Sequence, residues 1–296
     1  SGGNNTGIGR QALYSNTTAS NCVGIGGNAL FANTTGADNS AVGWGAEEAN
    51  TTGAYNTSVG KYALAVNTTG GNNTAIGNLS LDANTTGGSN VAIGDNALGG
   101  NTTASSNTAV GGAALMANTT GTDNVAVGAE ALRLNTTAND NTALGRKALY
   151  TNVAAANTAV GMSSLRLNTT GANNTAVGLS ALEANTTADS NVAVGYNCLS
   201  ANTTGAGNVA VGLSALSVNT TGTRNTAVGF QAYGGSDTEN DNLAIGYQAM
   251  LADTAGGSEN IALGNYALND LTSGDYNVVV GHYAGDVLTS GGSNTF

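Results

Sequence analysis

Asn174-Thr-Ala-Val-Gly178-Leu-Ser-Ala-Leu182-Glu-Ala-Asn185-Thr-Thr-Ala-Asp-Ser190 is one copy of a unit that recurs throughout the chain. Its opening phrase, Asn-Thr/Val-Ala-Val/Ile-Gly, closes on a glycine found again at Gly9, Gly26, Gly43, Gly60, Gly77, Gly94, Gly111, Gly128, Gly145, Gly161, Gly195, Gly212, Gly229, Gly246, Gly264 and Gly281. These seventeen copies stand seventeen residues apart, with one spacing of sixteen before Gly161 and one of eighteen before Gly264. A short fixed period over a whole chain is the mark of a solenoid, in which each repeat packs mainly on its neighbours.

With the asparagine as column one, the first five columns alternate in character and end at the glycine, which is a strand pattern. Helix is the alternative for the Ala-Leu stretch that follows, but it would span under two turns. The period also matches no heptad or helical-hairpin repeat. A parallel β-solenoid remains, one coil per repeat, with equivalent residues stacked about 4.8 Å apart and a rod roughly 80 Å long. The reading is therefore all-β, a β-roll of about seventeen coils.

Bulk suggests how a coil is filled. Column four is always Val, Ile or Leu and column nine is usually Leu, as at Leu13, Leu64, Leu132 and Leu216. The expectation is two facing aliphatic ladders, with columns two and eight completing a thin core. Column three is small in all but Val279, and on a strand it faces away from column four. Something must then pack closely against it, either another wall of the same coil or another chain. A trimer of parallel solenoids would supply the second.

Asparagine recurs in column one, at Asn39, Asn56, Asn73, Asn124, Asn174 and Asn225 among others, with Cys22 the one exception. Stacked asparagines can form an amide ladder from coil to coil. Columns twelve to fourteen read Asn-Thr-Thr in twelve copies, usually followed by Gly or Ala. This is turn chemistry, in which Asn accepts left-handed geometry and Gly permits positive φ. The triplet also fits the glycosylation sequon, and ranked threonines raise an ice-binding alternative. That flat face would be interrupted at Asn152-Val153-Ala154.

Composition narrows function. The 296 residues hold 45 glycines and no proline, which suits a chain paired along its length. A net charge of −11 with only seven Lys and Arg argues against nucleic-acid binding. No apolar run is long enough to cross a bilayer. Cys22 and Cys198 lie about ten coils apart, beyond disulfide reach, and read as small tolerated residues. Asp38, Asp123, Asp140 and Asp241 share one column in a minority of copies, and no calcium β-roll motif recurs, so no metal or other cofactor is expected. His282 is the only histidine, which leaves no metal cluster or catalytic triad to assemble, and no enzyme activity is expected.

Recognition is written where the scaffold imposes nothing. The outer columns carry Trp44, Tyr196, Phe230, Tyr247 and Tyr283 as candidate contacts, and Tyr233, Tyr266 and Tyr276 enrich the C-terminal part in aromatics. Such rings suit carbohydrate or protein contact, and equally a stacked structural ladder. The oddest coil holds Trp44 beside Glu47 and Glu48, with Glu47 in the leucine column. It reads as a local binding spot, or as a locally opened or oligomer-facing coil.

The repeat changes dialect near the end, dividing the chain into regular repeats over 1–224 and divergent repeats over 225–296. There Asn-Thr-Thr gives way to Ser236-Asp237-Thr238, Asp253-Thr254-Ala255, Leu271-Thr272-Ser273 and Leu288-Thr289-Ser290. Neither end shows a helical or charged cap, so a piece of a longer fibre or end-to-end stacking is expected.

Asn39-Ser-Ala-Val-Gly43, Asn90-Val-Ala-Ile-Gly94 and Asn242-Leu-Ala-Ile-Gly246 resemble the head repeat of trimeric autotransporter adhesins of the YadA type. The full unit also looks like repeats of bacterial and bacteriophage tail-fibre-like proteins. The resemblance spans the chain, although this repeat is longer and no neck, coiled-coil stalk, anchor or chaperone segment is read in it. It implies a left-handed, homotrimeric β-roll on a cell surface or virion that binds a matrix protein, a glycan or other cells. The expected function is a non-enzymatic extracellular fibre segment, shaft or head. The alternatives are an end-to-end filament subunit and a tail-fibre segment recognising a host glycan.

Overall fold

A computed structural model describes residues 2–235, 237–252 and 257–296. The protein is all-β, with seventeen three-residue strands in parallel register stacked as a β-solenoid, and no helix among the described residues. Ser236 and Asp253-Thr254-Ala255 lie outside the described residues.

Two compact units divide the chain, Ser1–Lys147 and Ala148–Phe296. The first holds strands β1 to β9, opening with Thr6–Ile8 and closing with Thr142–Leu144. The second holds β10 to β17, from Thr158–Val160 to Val278–Val280. Within each unit successive strands pair one period apart, as Thr57↔Thr74 in the first and Thr175↔Val192 in the second. The eighteen-residue coil keeps register, with Leu243 opposite Ile261. The short coil loses its residue at a corner, where Asn152 Nδ2 reaches the Ala154 carbonyl two positions on instead of three.

Three residues make a marginal strand, so the rungs are held by bonds between coils. Thr57 N donates to the Asn73 carbonyl at 2.8 Å, and Gly77 N to the Val59 carbonyl at 2.8 Å. After the glycine the chain turns repeatedly without becoming helical. Amides there alternate between partners: Leu30 N donates to Ala46 of the next coil, Phe31 N to Asn28 of its own, and Ala32 N to Glu48 of the next. This alternation needs left-handed residues in columns seven and nine, such as Asn28 (φ 60°) and Leu30 (φ 51°), and column seventeen is left-handed too, as at Asp38 (φ 59°). The corner asparagines of column twelve are not among them, contrary to expectation, because their side chains are committed to the interior.

The interior also reverses the expected core. Column three is buried and column four is not: Ala75 and Ala176 are fully enclosed, whereas Ile76 is 38% exposed and Val59 equally so. Parity on the strand explains it. Asn in column one is buried, column three shares its face, and columns two and four must therefore point outward. The small column packs on its own coil; a β-carbon at Gly24 would stand 3.2 Å from the Ala29 carbonyl oxygen of the same coil and 3.3 Å from Leu13 of the preceding one. Of the two partners foreseen for column three, the structure supplies the wall of the same coil.

Each coil is thus filled in two halves. Columns three, eight and nine form the apolar half, exemplified by Ala92, Ala97 and Leu98. Columns one, twelve and fifteen form a polar half in which two amides meet one carbonyl. Asn73 Nδ2 and Asn84 Nδ2 both donate to the Gly87 carbonyl at 2.9 Å. Asn73 N also donates to Asn56 Oδ1, and Asn84 Nδ2 to Asn67 Oδ1, linking successive coils.

Candidate functional site

The strand faces outward through columns two and four. Column four is aliphatic in every copy, and neither column carries a charge anywhere in the chain. In the first unit Ile8, Ile25, Val59, Ile76 and Ile93 stand between 36% and 58% exposed on this face. In the second, Ile245 and Val280 do the same at 40% and 58%. In-register pairing sets the branched side chains of each unit in a continuous stripe. Monomeric soluble proteins rarely leave so regular an apolar surface uncovered.

The strand-end glycines make the stripe possible by letting coils approach. Gly43, Gly77, Gly178, Gly212 and Gly246 have φ between 134° and 142°, and Gly9 and Gly111 have 131°. A β-carbon at Gly9 would lie 2.6 Å from the Gly26 carbonyl oxygen, and one at Gly111 2.7 Å from the Gly128 carbonyl carbon. No side chain fits there on either count.

Asn39, Asn56, Asn73, Asn124, Asn174 and Asn225 are all internal. They hold the scaffold and offer nothing to a ligand. The Asn-Thr-Thr asparagines are enclosed likewise: Asn50 Nδ2 donates to Asn33 Oδ1 and to the Gly53 carbonyl, leaving no room for a glycan on that nitrogen in the folded chain. The first threonine of the triplet bonds along the stack, as Thr34 Oγ1 donates to the Thr51 carbonyl and Thr186 Oγ1 to that of Thr203, while the second, as at Thr35 and Thr187, is exposed. In the second unit the buried Oδ1 of Asn219 has no partner among the described residues, while the column-one ladder runs on to Asn294.

Of the candidate contacts, Trp44 and Tyr196 are exposed, and Trp44 meets Tyr62 edge to face at 4.9 Å. Phe230 stacks on Tyr247 at 5.0 Å, Tyr247 meets Tyr266 at 5.3 Å, and Tyr266 stacks on Tyr283 at 4.7 Å. His282 closes this strip against Tyr283 at 4.3 Å. The strip uses ring faces for its own rungs, which is the structural-ladder arrangement. Tyr233 instead fills the leucine column, fully buried, and its hydroxyl accepts from Asn242 Nδ2 at 2.6 Å.

Glu47 is wholly buried in the leucine column of the first unit. Asn56 Nδ2 donates to it at 2.9 Å, and Ser58 Oγ, standing where alanine is usual, approaches at 3.5 Å. Loss of water raises its carboxyl to about 8. Glu48, one residue on, reaches the surface and accepts from Asn28 Nδ2 at 3.0 Å. Glu48 borders a recess of about 500 Å³ lined also by Tyr62, Ala65, Val66 and Leu79, which residue patterning alone did not reveal.

Both thiols are reduced and buried, and burial pushes Cys198 up to about 12. No group of three metal-ligating side chains occurs among the described residues, and no helix there is long and apolar enough to cross a membrane. Compared with known protein families and with characterised proteins, the chain matches none.

Proposed function

We propose that this chain is a non-enzymatic segment of an extracellular fibre, the shaft or head of an adhesin-like assembly on a cell or virion surface. The observation that carries the reading is the uncharged aliphatic stripe on the outer face of the parallel strands. Two exposed columns that never admit Lys, Glu, Asp or Arg are an interface pattern, since charges are what an open sheet ordinarily carries. Three copies associating through this face, each a left-handed roll, agree with the resemblance of Asn90-Val-Ala-Ile-Gly94 and its equivalents to trimeric adhesin heads. The outer loops then present Trp44, Tyr196 and the aromatic strip to a matrix protein or surface glycan.

The test is the mass in solution. Sedimentation equilibrium is expected to return three times the 28.8 kDa chain, independent of concentration. A stable monomer overturns the reading, and mass growing without limit would replace it with an end-to-end filament.

A further inference from the structure

Column ten of the first unit reads Tyr14, Phe31, Glu48, Ala65, Asp82: two rings, then a carboxylate, a methyl and a carboxylate on consecutive coils. Glu48 and Asp82 therefore flank an empty rung, two coils or about 10 Å apart along the stack. The recess of about 500 Å³ opens at that rung, with Ala65 at its base and Tyr62, Val66 and Leu79 as apolar walls. Among the described residues three of the protein's eighteen carboxylates are paired with a cation within the array. Arg166 Nε donates to Glu183 at 2.7 Å one coil away in column ten itself, and Lys147 reaches Glu130 at 3.6 Å. Neither Glu48 nor Asp82 has a cation of this kind among the described residues, and Lys61 places its ammonium over the Tyr62 ring at 5.4 Å. Burial raises the Asp82 carboxyl above its ordinary value, a penalty that an adjacent cation would relieve.

We propose that this recess binds a linear aliphatic diammonium ion, a molecule of the polyamine class, with one ammonium at Glu48, the other at Asp82, and the methylene chain lying over Ala65 against Tyr62 and Leu79. Two carboxylates set apart by an apolar floor complement two positive ends joined by an apolar stem. Columns seven, ten and eleven form this face, so the site stands apart from the sheet stripe and does not depend on trimer formation.

The only tryptophan, Trp44, touches Tyr62 and so reports on the recess. Cadaverine titrated at low salt is expected to change Trp44 fluorescence saturably, and to bind about tenfold more tightly than butylamine or Nα-acetyl-lysine amide, which carry one ammonium. Glu48→Gln and Asp82→Asn should each weaken cadaverine about tenfold and bring it level with butylamine. Ala65→Leu, which fills the rung, should abolish binding while circular dichroism stays that of the wild type. Absence of saturation, equal affinity for one and two ammoniums, or indifference to both carboxylate variants would overturn the proposal. If Ala65→Leu disturbs the fold, the two carboxylate variants decide alone.

Discussion

Glu47 shows how much one residue can alter inside a coil so narrow. Its carboxyl is held near 8 in the folded chain against an ordinary value of 4.5, because burial removes water and only Asn56 and Ser58 replace it. The folded state therefore keeps a proton that the unfolded state has lost between those two values. Stability is greatest below about pH 4.5 as far as this group is concerned, falls as pH rises to about 8, and is level beyond. The decline is about 1.4 kcal/mol per pH unit at its steepest. Glu47→Leu restores the column found in most coils, and Asn56 Nδ2 still has the Gly70 carbonyl. Urea midpoints at pH 5 and pH 8 should differ less in that variant than in the wild type, and the variant should be the more stable at pH 8. The glycine column is just as unforgiving. Gly178 combines φ 138° with a next-coil carbonyl where a side chain would begin, so Gly178→Ala is expected to destabilise by roughly 3 kcal/mol or more. A thermal melt of the variant checks this; an unchanged midpoint would mean that coils can slide apart there.

At the scale of the coil, a very short strand is made sufficient by amide ladders on its inner side. Each buried asparagine satisfies partners in its own coil and in its neighbours. Asn84 donates to Asn67 and Gly87, and accepts from Asn101 Nδ2 at 2.9 Å. Asn84→Ala removes one amide but orphans the Asn67 acceptor and takes from the Asn101 amide one of its two acceptors, leaving it only the Ala104 carbonyl, in a dry interior. The expected loss is about 2–5 kcal/mol, well above the net worth of one hydrogen bond. Hydrogen exchange is the suitable measurement, since protection should drop first in the coils bordering Asn84 and only later elsewhere in the same unit. Uniform loss across that unit would mean that the ladder acts as one body instead of rung by rung.

For the molecule as a whole, the outward stripe is the feature most open to attack by mutation. Ile76→Glu and Val177→Glu each place a charge on a half-exposed position that no core packing needs, so the coils should survive while association fails. The expected result is a 28.8 kDa particle with unchanged β circular dichroism; retention of a larger mass would remove the stripe from the interface. Sequence alone was enough for the period, the parallel stacking, a strand within columns one to five, which the structure trims to columns two to four, and the glycine at its end, because a repeat of this length must reproduce the same contacts at every copy. It also singled out the coil of Trp44, Glu47 and Glu48 as anomalous. It did not decide which side of the strand faces in. Alternation supplies two faces without labelling them, and the bulky Val and Ile columns argued for the wrong one. Tertiary structure chose the other, because the coil is too narrow to set branched side chains opposite leucine and because the buried asparagines share a face with alanine. The recess between Glu48 and Asp82 was hidden for a related reason: residues seventeen and thirty-four positions apart become neighbours only once the coils are stacked.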